Sequence, residues 1–276
     1  MDHALISIII INYNTFELTS KCIQSILSIE SNLPSEIILV DNHSTEADPD
    51  EFLKIFPGII LIKSPANIGF AKGNNLGIEK AKGAYILLLN SDTVLLNDAI
   101  TIVKQFLDSH PNVAAASARL EYPDGAVQHN CQRFPSVSTK LFELLRLQKI
   151  LGRKMSGKVL LGSFFGYDSI AYPDWIWGTF FMFRKERLDG LPGKKLADDF
   201  FMYGEDMQWC MEFKYLGFRC AFLPDAHVVH LMGGSGGEGG KMMRLNLNAF
   251  MKLYYPGWQR LFIRTLNFFL TGRYEY

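Results

Sequence analysis

The chain has 276 residues, 28 basic side chains balanced by 28 acidic ones, and 48% hydrophobic residues. That length can bury a sizeable core, as one large α/β domain or two small ones, and the apolar share excludes a disordered chain. Zero net charge gives no electrostatic reason to expect nucleic acid as a partner.

Cys22, Cys131, Cys210 and Cys220 are scattered, with no CxxC. A disulfide framework or zinc site is not indicated, and reduced thiols in a cytosolic protein fit better. The first residues run straight into a strand pattern, without the charged and apolar regions of a signal peptide. No apolar run approaches the roughly 18 to 20 residues of a membrane span. The expectation is a soluble cytoplasmic protein, or one held peripherally at the inner face of the cell membrane.

The first half alternates strands and helices. Residues 7–11 run apolar after Ser7, as in a strand buried on both faces. Residues 18–29 place Cys22, Ile23, Ile26, Leu27 and Ile29 at helical spacing. Strands are predicted at 36–40, 59–62, 85–89 and 113–117, and helices at 70–81, stopped by Gly83, and at 98–107. This order predicts a mainly parallel sheet with helices on both faces, whose ligands bind beyond the carboxyl ends of the strands. The second half is less regular. It predicts an amphipathic helix at 140–151, an aromatic strand at 175–183 around Gly178, a helix at 205–216 and a short strand at 220–223. Six glycines lie within 233–240, a loop that fits a lid over a ligand and a linker equally. The tail at 245–269 reads as helix broken at Pro256-Gly257.

Several strand ends carry chemistry. Asp92 follows an apolar strand through Asn90 and Ser91. A carboxylate there suits a hard divalent cation, and equally a turn cap. Asp41 holds the same kind of edge position and could accept from a nucleobase or ribose, or form an Asx turn. The stretch Asn67-Ile-Gly69-Phe-Ala-Lys72 opens a helix where small residues and the helix N-terminus favour phosphate. It is neither GxGxxG nor a P-loop. Tyr13 could stack on a base or pack at the strand end. Glu205 and Asp206 stand in the first turn of a helix, as a general base or as charge compensation for the helix dipole. His230 could donate one ligand to a metal near Asp92, since HExxH is absent.

Taken in order, Ile11-Asn-Tyr-Asn14, Val40-Asp-Asn-His-Ser44, Asn67 through Gly77, Leu89-Asn-Ser-Asp92, Trp177-Gly178-Thr179, Phe201-Met-Tyr-Gly-Glu-Asp206 and His230-Leu-Met-Gly-Gly-Ser235 resemble glycosyltransferase family 2, nearest to its rhamnosyltransferase-like members. The motifs cover most of the chain.

The resemblance implies a GT-A fold: a Rossmann-like, mainly parallel central α/β sheet with helices on both faces and a less regular acceptor-side region. It implies one catalytic domain over 1–240, with a nucleotide-sugar-binding half at 1–118 and an acceptor half at 119–240, followed by a helical tail at 241–276. It also implies an inverting transferase moving a sugar from a nucleotide-diphosphate sugar (dTDP-rhamnose or a UDP- or GDP-sugar) to a glycan or lipid-linked saccharide, with Mg2+ or Mn2+. By that resemblance Asp206 is the base beside Glu205. Asp92 and His230 touch the metal, and Asp41 contacts the base or ribose. Tyr13, Asn14, Asn67, Gly69, Lys72, Asn90, Ser91, Trp177 and Gly178 line the donor site. Asn90 replaces the first acid of the DxD-type motif, and Met207 stands where relatives often have an acid.

A sugar nucleotidyltransferase and an inactive nucleotide-sugar-binding module are the competing readings. The tail mixes Arg260 and Arg264 with aromatics, which fits a membrane interface, a homodimer contact or a core helix.

Overall fold

The computed structural model describes residues 5–29, 33–231 and 239–272. Its centre is β1 (Ile6–Asn12), buried along its whole length. Alternate side chains serve opposite faces, as strand geometry requires. Ile6, Ile8 and Ile10 join one core with α1 (Phe16–Leu27), while Ile9 and Ile11 join the other with α3 (Phe70–Lys80). A strand covered on both faces must be apolar throughout, which is why this run was legible.

The chain continues through β2 (Ser35–Asp41), α2 (Glu51–Ile55), β3 (Ile60–Lys63), α3, β4 (Tyr85–Asn90), β5 (Thr93–Leu95), α4 (Ala99–Ser109) and β6 (Val113–Glu121). β7 (Cys131–Gln132), α5 (Val137–Leu144), α6 (Gly152–Leu160), β8 (Trp175–Ile176), β9 (Phe180–Arg184), α7 (Glu205–Tyr215), β10 (Arg219–His230), α8 (Gly239–Tyr254) and α9 (Gly257–Thr271) complete it. One sheet takes strands from both halves in the order β3-β2-β1-β4-β9-β6-β10-β5. β9 runs antiparallel to both of its neighbours, and β5 runs antiparallel to β10. The other pairings are parallel.

The elements predicted in the first half are all present, within a few residues. In the second half three expectations need correction. The helix expected at 140–151 stops at Leu144 as the end of α5, gives way to a 3-10 turn at Leu147–Lys149, and α6 begins only at Gly152. Arg146 (φ 53°) and Gly152 (φ 70°) take left-handed conformations there that no helix continues through. The aromatic strand expected at 175–183 is also two strands. β8 pairs with β7, and β9 enters the main sheet, because the peptide of Gly178 leaves the ladder to meet Asp206. The short strand at 220–223 extends to His230 as β10. Its register shifts between Leu223 and His227, around Pro224, which has no N–H to give a ladder. The tail breaks at Pro256 as expected, and Phe250, Met251 and Ile263 are buried in the second core. No helix among the described residues is long and apolar enough to cross a membrane.

Gly83 marks the closest approach of the α3–β4 connection to β1. A Cβ there would lie 2.6 Å from the backbone nitrogen of Ser7 and 2.7 Å from the carbonyl oxygen of Leu5. No side chain can rotate to relieve that contact. Gly83→Ala should therefore destabilise the fold by about 1–3 kcal/mol, the usual cost of overpacking, seen as a lower urea midpoint at unchanged slope.

Candidate functional site

Three loops meet at the carboxyl ends of β1, β2 and β3. Asn12 Nδ2 donates to Asp41 Oδ1 (2.8 Å) and to Ser44 Oγ (2.9 Å), and the Ser44 amide donates to Asp41 Oδ2 (3.1 Å). Asp41 thus forms a turn and ties two strand ends together. Asn14, at φ 52°, accepts from the amides of Thr45 (2.8 Å) and Glu46 (3.2 Å). Asn42 Nδ2 donates to Asn67 Oδ1 (2.9 Å), and Asn67 in turn accepts the Gly69 amide (3.1 Å). This lattice fixes the rim. Tyr13 and Lys72 stand exposed upon it.

Gly69 does not keep space for a ligand. A Cβ there would fall 2.4 Å from the Phe201 carbonyl oxygen, which also accepts the Phe70 amide at 2.8 Å. The glycine admits the segment leading into α7.

Asp92 and His230 are brought together as the sequence suggested. Both are buried, at 8% and 6% exposure, with Asp92 Oδ1 3.3 Å from His230 Nε2. Gln128 orients the ring: its Nε2 donates to the His230 carbonyl (2.8 Å), so its Oε1 faces Nδ1 (2.7 Å) and accepts from it. Nε2 of a neutral ring then turns a lone pair toward a carboxylate. A proton or a metal ion lying between the two would join them. A histidine whose second nitrogen is held by an oriented acceptor is the usual preparation for metal binding. Two protein ligands completed by phosphate oxygens is a normal magnesium arrangement. Among the described residues no group of three or more His, Cys, Asp or Glu gathers to hold a metal. The residues present therefore fit a divalent ion shared with a substrate. Asn90 adds a buried Oδ1 with no partner among the described residues, its Nδ2 facing Thr179 Oγ1 at 3.5 Å. Ser91 Oγ lies 3.1 Å from Thr15 Oγ1.

Glu205 and Asp206 open α7 after Tyr203 (φ 66°) and Gly204 (φ 115°). Asp206 Oδ2 accepts the Gly178 amide (3.2 Å) and Oδ1 the Met207 amide (2.7 Å). Burial raises its pKa above the ordinary aspartate range, against the lowering effect of those amides. Glu205 is 6% exposed, and its Oε2 has no partner among the described residues. Burial, then the neighbouring Asp206 charge, push its pKa up further. Two buried carboxyls this close titrate as a pair, and once one has ionised the other holds its proton more firmly. The next residue along links this pair to the other acid: Thr179 O accepts the Asn90 amide at 3.0 Å. Trp177 is half-buried beside it, its amide donating to Asn130 O (3.2 Å).

Two groups carried no sequence signal. Gln128 lies in the irregular stretch after β6, outside any motif. Asn246, on α8, donates to the carbonyls of Met202 (2.8 Å) and Tyr203 (2.6 Å) and so clamps the approach to Glu205. A lone asparagine in a helical tail gives no hint of that. The glycine stretch expected as a loop at 233–240 lies, through residue 238, outside the described residues.

The family model described as glycosyl transferase family 2 matches residues 7–171. The N-acetylglucosaminyl-diphospho-decaprenol L-rhamnosyltransferase of Mycobacterium tuberculosis is 22% identical over 236 residues, covering 77% of this chain and 71% of that protein. The solved structure of GalNAc-T7 with UDP, GalNAc and Mn2+ superposes with a TM-score of 0.65 at 13% identity, covering 92% of this chain and 49% of that one. The mannosyltransferase of Pyrobaculum calidifontis with GDP-Man and Mn2+ gives 0.57 at 17% identity, covering 97% and 74%. The fold is therefore of the GT-A type. Three other curated relatives are matched over only 14%, 41% and 43% of their length.

Asn246→Ala should leave the Met202 and Tyr203 carbonyls without their donor, at a local cost of about 1–3 kcal/mol. Hydrogen exchange at residues 201–206 should accelerate by about tenfold or more, with the amides of β1 and β4 unchanged.

Proposed function

We propose that this chain, which belongs to glycosyl transferase family 2, transfers a sugar from a nucleoside-diphosphate sugar to an acceptor hydroxyl with inversion at the anomeric carbon. The observation that carries the reading is the dipeptide Gly178-Thr179. It bonds to Asp206 on one side and to Asn90, two residues from Asp92, on the other. One short segment thereby sets a base beside a cation site, which is what a single displacement requires.

In this reading the acceptor oxygen attacks from the side opposite the diphosphate, and Asp206 takes its proton. Glu205 stays protonated and leaves the negative charge to Asp206. Asp92 and His230 would hold Mg2+ or Mn2+, which supplies neutralisation of charge on the departing diphosphate. Tyr13 stacks on the base while Asn14, Asp41 and Asn67 shape its pocket. Lys72, which makes no ion pair among the described residues, faces phosphate near the start of α3. Trp177, Gly178, Asn90 and Ser91 wall the sugar.

The donor we favour is dTDP-rhamnose or a UDP- or GDP-sugar. The acceptor is a glycan or lipid-linked saccharide of a cell-surface polysaccharide. The name of the mycobacterial relative, the UDP and GalNAc named with one structure and the GDP-Man named with the other support this choice. A nucleotidyltransferase gains no observation, and the retained acid pair speaks against an inactive binding module.

Release of nucleoside diphosphate from a panel of nucleotide sugars tests the reading; no release from any donor, with or without acceptor, would sink it. Asp206→Asn should lower kcat by about 10²- to 10⁴-fold, the usual contribution of a general base, with donor affinity by calorimetry unchanged. Asp92→Ala should abolish the Mn2+-dependent part of nucleoside-diphosphate binding. Because burial raises the Asp206 pKa, its base form is lost as pH falls through that raised value. The rate should therefore climb with pH to a plateau, its midpoint above the ordinary aspartate value of about 3.9.

A further inference from the structure

We propose that α9, with the α5–α6 corner beside it, is a docking surface for a membrane of anionic phospholipid. α9 is built with its apolar stripe outward. Ile263 and Asn267 face the body and are buried. Trp258, Leu261, Phe262, Phe268 and Phe269 are exposed, Trp258 at 63% and Phe269 at 66%. At 3.6 residues per turn these five share the face opposite Ile263. Water is a poor partner for such a stripe, and scattered single apolar residues do not explain it.

The α5–α6 corner continues the surface. α5 packs on α9, and Ile150 and Met155 are exposed nearby in sequence, between and within the two helices.

Charge selects the occupant. The whole chain is neutral, yet residues 137–160 and 239–272 hold eleven of its 28 basic side chains and one of its 28 acidic ones, Glu143. Arg146, Lys149, Lys154 and Lys158 are exposed and make no ion pair among the described residues. A second copy seated on this face would oppose the same basic surface to itself. An anionic lipid surface receives both parts, the aromatic side chains at the acyl boundary and the basic ones at the headgroups. A helix lying in the interface, not across it, agrees with the lack of any spanning helix among the described residues.

The inference stands apart from the transferase reading, since its test needs no sugar. The full chain is floated on density gradients with vesicles of phosphatidylcholine alone, or with about one third phosphatidylglycerol. Flotation with the anionic vesicles and little with the neutral ones is expected. Each basic side chain near such a surface contributes about a fivefold gain in partition, so Lys154→Glu with Lys158→Glu should lower it by at least about tenfold. Phe262→Ser with Phe269→Ser should also lower it by at least about tenfold. All four positions are exposed, so circular dichroism should stay that of the parent. Absence of flotation on anionic vesicles, equal flotation on neutral ones, or parental flotation of both double variants would overturn the proposal. So would a dimer in sedimentation that the phenylalanine pair of substitutions dissociates.

Discussion

The insertion of β9, antiparallel, between β4 and β6 is the constraint on which the site rests. A parallel sheet alone would bring β1, β2 and β4 to one edge and leave the second half of the chain to find its own place. β9 removes that freedom. Its pairing with β4 runs from Tyr85↔Arg184 to Leu89↔Phe180, and the next bond, from the Asn90 amide to Thr179 O, closes the ladder where the acids begin. Gly178 then departs from the strand to reach Asp206. A Cβ at this glycine would sit 3.2 Å from the Phe70 ring and 3.7 Å from Asp206 Cβ, so the approach is close on both sides. The acids need no long-range device to stay in register, because a short run of peptide is shared between them.

Holding two carboxyls at the start of α7 has an energetic consequence. Their raised affinities mean that the folded chain binds protons more firmly than the unfolded one. The unfolded carboxyls release their protons first as pH rises, so the folded state loses stability from the ordinary carboxylate range upward to the raised values. The amides of Gly178 and Met207, and the helix dipole, offset part of this by favouring the ionised form of Asp206. Glu205, with Oε2 unpartnered among the described residues, has its own backbone as the one lowering influence there. The site keeps a costly neutral acid beside a base, as functional acid pairs generally do.

Much of the fold was readable because a two-face-buried sheet writes itself in apolar runs. Ile8 to Ile11 and Ile86 to Leu89 carry no polar residue to confuse the pattern. The split of the helix at 140–151 was not readable, since Arg146 and Gly152 change the backbone while Leu141, Leu144 and Leu147 keep the helical spacing. Of the candidate residues, Asp92 and His230, which type and position pair, do lie in contact. Asp41 shows the turn that its position allowed, while Gly69 has a use that the sequence did not suggest. Asp41 binds Asn12 and Ser44, and Gly69 admits the Phe201 carbonyl. Sequence shows that a position is constrained, and only the packing shows by what. Gln128 and Asn246 each act through two hydrogen bonds, across 102 residues of chain and across 44 and 43, a relation no local pattern records.

The tail shows the same limit from another side. Its composition fitted a membrane helix, a subunit contact and a core helix, and these readings were treated as alternatives. The two helices divide the work instead. α8 buries Phe250 and Met251, and its Asn246 holds the segment before Glu205, while Gln208 Nε2 donates to Tyr254 Oη at 3.0 Å. α9 buries Ile263 and turns its aromatic stripe outward. Deleting the tail would therefore strip the core and loosen the acid pair along with the exposed face. A function of that face is best read from substitutions of exposed side chains on the outer side of α9, such as Phe262 and Phe269.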